Sequence, residues 1–112
     1  MKRWFLLAAL VATTASAHHG WSEYDADKPL QVAGTIEQAG YENPHGMVQL
    51  KTAGKTWHVV LAPPSRMASR GLARSALVVG QKATVYGYPN RSKGDEMRAE
   101  RITIGGKTTE LR

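Results

Sequence analysis

Pro63-Pro64-Ser65-Arg66-Met67-Ala68-Ser69-Arg70-Gly71 is the stretch that decides the fold. Paired prolines end the strand before them, because proline has no N–H to give to a ladder. Ser65 is the expected N-cap of a short helix over residues 66–70, and Gly71 closes it. A short helix set between strands is a plug, so the strands on either side of it decide the architecture.

On the N-terminal side, Leu30, Val32, Gly34 and Ile36 alternate with Gln31, Ala33, Thr35 and Glu37, the period of a half-buried strand. Gly34 suits a strand that must bend sharply. Gly40-Tyr41-Glu42-Asn43-Pro44-His45-Gly46 then breaks the run as a loop. Residues 47–52 and 55–61 follow as two strands joined by a hairpin at Ala53-Gly54. Trp57, Val59 and Leu61 share one face, with Trp57 the expected centre of the core, and His58 lies on the exposed face.

On the C-terminal side, Gly80-Gln81 turns into a fourth strand over 82–88, and Pro89-Asn90-Arg91-Ser92-Lys93-Gly94-Asp95 is a loop. A fifth strand over 97–104 places apolar residues at Met97 and Ala99, then at Ile102 and Ile104. That change of parity predicts a bulge near Glu100-Arg101. Gly105-Gly106 makes a last hairpin into residues 107–111. Three strands, a helix and two strands is the order of an all-β, OB-fold-like five-stranded barrel, ahead of a β-sandwich or open sheet of similar content. Such barrels bind ligands over strands two and three and at loops 1–2 and 4–5, which here carry His45 and Arg91 with Lys93.

Ahead of this barrel (residues 30–112), residues 18–29 form an extended arm anchored by Trp21 and Tyr24. Residues 1–17 read as a signal peptide: Lys2-Arg3, an apolar run from Trp4 to Ala12 too short to span a bilayer, and an Ala15-Ser16-Ala17 cleavage site. The expectation is a periplasmic protein of 95 residues beginning at His18, with no membrane span after cleavage. It contains no cysteine, so packing, or packing with a ligand, must hold it together. Loss of Lys2 and Arg3 lowers the net charge from +6 to +4, and the excess is dispersed rather than clustered. A dispersed excess is the pattern of a solvated surface and predicts no nucleic-acid partner.

No catalytic motif is present: there is no cysteine nucleophile, Gly-x-Ser-x-Gly elbow, phosphate-binding Gly-x-x-x-x-Gly-Lys or His-Glu-x-x-His. Asp25 and Asp27 read as caps of the arm rather than an acid/base pair. The histidines carry more information. Cleavage after Ala17 makes His18 the terminus, where its α-amine and imidazole close a chelate, and His19 and His45 add further imidazoles. Nitrogen donors of this kind rank Cu(II) first among divalent ions. His18, His19 and His45 are therefore candidate copper ligands in a non-enzymatic binding protein. Tyr86 and Tyr88 share a face of the fourth strand and point to the alternative, an interaction module that binds an envelope protein or a glycan on the barrel without metal.

His18-His19-x-Trp21, Tyr24-Asp25-Ala26-Asp27-Lys28-Pro29, Gly34-Thr35-Ile36, Asn43-Pro44-His45, Trp57, Arg70-Gly71 and Gly80 together resemble a family of small exported bacterial proteins of unknown function. The chain departs from that pattern at Gly20, where serine is common, and at Met47 and Leu72, where aromatic residues are frequent. The resemblance implies export and this fold, and it assigns no activity.

Overall fold

A computed structural model describes residues 19–112 of the chain. Residues 1–18, which include the expected signal peptide and His18, lie outside the described residues. The elements run α1 (His19–Ser22), β1 (Leu30–Gly40), β2 (Met47–Lys51), β3 (Thr56–Val60), α2 (Pro64–Ser69), β4 (Lys82–Pro89), β5 (Glu96–Ile104) and β6 (Lys107–Glu110), with a 3-10 turn at Arg74–Ala76 before β4. Among the described residues, no helix is long and apolar enough to cross a membrane.

The strand order is β3-β2-β1-β4-β5-β6, and β3 also pairs with β5, which closes five strands into a barrel. The closing pair is parallel, His58 to Glu96 and Val60 to Arg98, while the other pairs are antiparallel. β6 extends the sheet beyond the barrel as a hairpin with β5. This is the all-β, OB-like barrel that the strand order predicts, with α2 between β3 and β4.

β1 serves two neighbours. Residues 30–35 pair with β4, and the second half of the strand pairs with β2. Gly34 stands at the changeover, where an added Cβ would collide with the Lys51 carbonyl. A bulge at Glu37 completes the bend, since Ile36 faces Leu50 and Gln38 faces Gln49. The bulge expected in β5 is present too: Tyr86 faces Arg101 and Gly87 faces Ala99, leaving Glu100 unpaired.

The interior is apolar throughout. Ile36, Val48, Leu50, Val59, Leu61, Met67, Val85, Met97 and Ile102 are fully buried there. Trp57 shares the inward face of β3 with Val59 but is only partly buried, with Lys55 Nζ 4.0 Å from its ring centre. Leu50, which pairs with Trp57 across the ladder, and Val59 are fully buried instead, because Trp57 follows the exposed hairpin at residues 53–56 and its indole stays partly open to solvent there. His58 is half-buried, and its Nδ1 lies 3.0 Å from Nε2 of Gln49 directly across the ladder.

α2 also begins differently from expectation. Pro63 is its N-cap and Pro64 its first residue, and Ser65 makes no cap. Proline's fixed φ favours the first helical position, where no N–H is needed. Gly71 closes the helix as expected, with a φ of 89°. Gly71 N donates to Ala68 O (3.1 Å) and Leu72 N to Met67 O (2.8 Å), the two bonds of a Schellman cap.

The arm carries a helical turn, α1, beyond the extended backbone expected of it. Asp25 N donates to Pro89 O and Arg91 N donates to Glu23 O, both at 2.9 Å, around a bridge between Tyr24 and Asn90. The arm thus docks on the loop between β4 and β5.

Candidate functional site

Where the arm crosses the end of the barrel, it walls a cleft of about 250 Å³. Gly20, Glu23 and Tyr24 come from the arm, His45 from the β1–β2 loop, Val60 from β3, and Glu96 and Arg98 from β5. The parallel β3–β5 pair brings Val60 beside Arg98, so barrel closure itself builds the floor.

The loop that carries His45 is pinned at its end. Gly46 N donates to Ala62 O (2.9 Å) and Leu61 N donates to Gly46 O (2.8 Å). Gly46 also packs against α2, where an added Cβ would lie 2.5 Å from the Met67 methyl and 3.1 Å from the Gly40 carbonyl, so a larger residue there has to push the Met67 side chain aside. Tyr41, at the loop's start, donates its hydroxyl to Leu72 O and lies 5.2 Å below the Arg74 guanidinium. These ties hold half-buried His45 toward the arm. Burial lowers the His45 pKa, and the positive charges of Arg98 and Arg66 lower it further. The imidazole is therefore neutral at neutral pH, the form that binds a metal or donates one N–H.

Tyr24 and Glu96 form the acidic wall. Tyr24 is 6% exposed and donates its hydroxyl to Glu96 Oε2 at 2.5 Å. Burial and this bond push the tyrosine pKa well above its ordinary value, so it stays a donor. Asn90 Nδ2 donates to the same oxygen (3.3 Å), and Lys93 Nζ lies 3.9 Å from the other. Asn90 Oδ1 in turn accepts from the N–H groups of Ser92 and Lys93, which shapes the β4–β5 loop.

Arg98 forms the opposite wall. It points outward from β5, between the inward Met97 and Ala99, yet it is only 4% exposed because the arm covers it. Its guanidinium lies 4.5 Å from the Trp21 ring centre, and Arg112 lies 4.4 Å from the same ring. Arg98 Nε is buried without a hydrogen-bond partner. Burial lowers its pKa; Tyr24 opposes that shift, and nearby Arg66 and Arg112 add to it.

Of the expected metal ligands, His45 lines the cleft, His19 is the first residue of α1 and the neighbour of cleft-lining Gly20, and His18 lies outside the described residues. Among the described residues, no group of three or more His, Cys, Asp or Glu side chains is placed to hold a metal ion. Arg91 and Lys93 serve the scaffold: Arg91 Nε donates to Ser22 O (3.3 Å), and Lys93 pairs with Glu96. Tyr86 and Tyr88 share a face as expected, with ring centres 6.0 Å apart and edge to face. Trp21 meets Tyr88 in the same way, and Arg101 lies over Tyr86 at 4.7 Å.

A protein-family profile matches residues 7–98, from the apolar N-terminal run to Arg98. The chain belongs to DUF6152, a family of unknown function. Comparison with curated proteins finds no match for this DUF6152 chain. Among solved structures, TiaS in complex with an isoleucine tRNA and ATP is similar at 17% identity and a TM-score of 0.54, over 80% of this chain and 20% of that one. The ZRD-deleted mutant of TiaS in complex with agmatine is similar at 18% identity and a TM-score of 0.53, over 76% of this chain and 24% of that one. The DUF6152 chain thus spans a quarter or less of TiaS, and at such identity the likeness shows the barrel fold alone.

Arg98 and Glu96 escape sequence reasoning because nothing in their local pattern marks them as buried. The one available signal is that Trp21 and Tyr24 anchor the arm, which implies that some outward strand residue must be covered by it.

Proposed function

We propose that this DUF6152 protein is an exported, non-enzymatic binding protein whose site is the cleft between arm and barrel, and that its ligand is Cu(II) held by His18, His19 and His45. The observation that carries this reading is that His45 and Gly20 line one cleft, so the loop histidine faces the arm that begins with the other two. A neutral His45 is ready to coordinate without first losing a proton. Glu23 and Glu96 place carboxylates in the same cleft, which offsets the positive field of Arg98 on an incoming cation.

The test is a copper titration followed by electron paramagnetic resonance on three metal-free proteins: one beginning at His18, one extended by a residue before it, and the His45→Ala variant. The first binds tightly at neutral pH and releases the ion as pH falls, because protons compete for the α-amine and the imidazoles. Extension abolishes the terminal chelate, and His45→Ala weakens binding. Equal, weak binding by all three overturns the copper site and leaves the interaction-module alternative.

A further inference from the structure

Arg98 is the least satisfied charged side chain in the cleft. It is more than nine-tenths buried, its Nε has no partner, and the ion pairs among the described residues give it no carboxylate. A buried guanidinium is costly to leave unpaired, and proteins ordinarily retain one only with a counter-charge or a ligand. Its charged surroundings deepen the cost. Arg66 and Arg112 both add positive potential at Arg98, and Arg66 and Arg98 both do so at His45.

The other cations nearby are already engaged. Arg66 donates to Leu111 O at 3.1 Å, and Arg112 lies 3.5 Å from Glu100. The Glu96 carboxylate is held on the other wall by Tyr24, Asn90 and Lys93, so it is not turned into a partner for Arg98. The cleft also contains Glu23, whose main-chain carbonyl accepts from Arg91. What remains is a planar donor fork at the wall of a cleft, beside the His45 imidazole, with the Arg66 and Arg112 charges near it and the Glu96 carboxylate engaged on the opposite wall. That combination is complementary to an oxyanion, which can accept two parallel N–H bonds from one arginine.

We propose that the cleft is an oxyanion site in which Arg98 binds a phosphate or carboxylate group through its cleft-facing N–H donors and His45 supplies a further N–H. Trp21, under the guanidinium, keeps the fork in place and excludes water from its far side. The oxyanion contributes the missing counter-charge, so it binds in the absence of metal. This inference therefore stands apart from the copper reading.

The test uses the metal-free protein beginning at His18, in a zwitterionic buffer, titrated separately with inorganic phosphate and with acetate. Arginine Nε–H resonances are followed by two-dimensional NMR together with the backbone amides of Gly20, Glu23 and Arg98 itself, which line the cleft and report binding in the wild type and in the variant alike. Burial protects the Arg98 Nε–H from exchange, and the Arg98→Lys variant assigns it by its disappearance. The Arg98 signal is expected to shift saturably with phosphate, acetate or both, with a Kd on the order of 1 mM. Arg98→Lys keeps the charge but loses the fork, and is expected to bind about tenfold more weakly or worse. Response to one anion alone supports the site and identifies which class it takes. An Arg98 signal unmoved by either anion overturns the proposal, as does a folded Arg98→Lys protein that binds as tightly as the wild type. The wild-type titration is decisive even if the variant fails to fold.

Discussion

The barrel interior and the face beneath the arm are built on opposite principles, although β5 contributes to both. Inside, Met97, Ala99 and Ile102 join Leu50, Val59 and Ile36 in a core of apolar side chains whose stability comes from area removed from water. Outside, one residue along the same strand, Arg98 is buried almost as deeply but by a tryptophan, a helical turn and a loop. The interior has no use for specific partners, whereas the arm face depends on directional contacts: the Tyr24 hydroxyl on Glu96, the backbone bridge to Asn90, and guanidinium groups over rings. Similar depth of burial therefore means close packing in one region and directional contacts in the other.

Removing side chains from the centre and the rim of the core puts the interior's half of this contrast at risk. Leu50→Ala is expected to cost about 2–5 kcal/mol in denaturant unfolding, as central cavities do. Trp57→Ala, at the rim and partly solvated, is expected to cost less, about 1–2 kcal/mol, despite its larger side chain. A larger loss at Trp57 than at Leu50 would return the indole to the centre of the core.

On the arm face, Tyr24→Phe deletes the hydroxyl bond to Glu96 while leaving the ring in place. The expected cost is about 1 kcal/mol, that of an ordinary hydrogen bond, since Asn90 and Lys93 still hold the Glu96 carboxylate. Hydrogen exchange then separates the two regions: protection should fall at the Asp25 and Arg91 amides, which pair the arm with the β4–β5 loop, and stay unchanged in β1 and β2. Uniform loss across the barrel would make the arm part of the core.

A weaker effect is expected in the pH dependence. The folded-state pKa of His45 lies below its ordinary value of about 6.5, so the unfolded chain takes up a proton first as pH falls. His45 therefore adds no destabilisation above pH of about 6.5, removes stability as pH falls below it, and stops doing so once the folded imidazole protonates. His45→Gln should flatten that part of the stability profile, measured by thermal melts at stepped pH. A variant with the same slope as the wild type would place His45 in open solvent.

Local periodicity was enough to lay out the barrel. Alternation located the strands, the parity change from Ala99 to Ile102 located the bulge at Glu100, Gly71 located the end of α2, and their order specified the architecture. His45 was legible as a candidate because histidine in an Asn-Pro-His loop stands out chemically. Which of these residues share a site was settled by the tertiary structure. Val60 and Arg98 are 38 positions apart and meet only because β3 and β5 close the barrel in parallel. Arg98 carries the outward-facing pattern of a solvated residue, and only the docking of Trp21 and Gly20 over it takes it out of water. The physical reason is that periodicity reports which face of a strand looks inward, whereas burial on the outer face depends on contacts between segments distant in the chain.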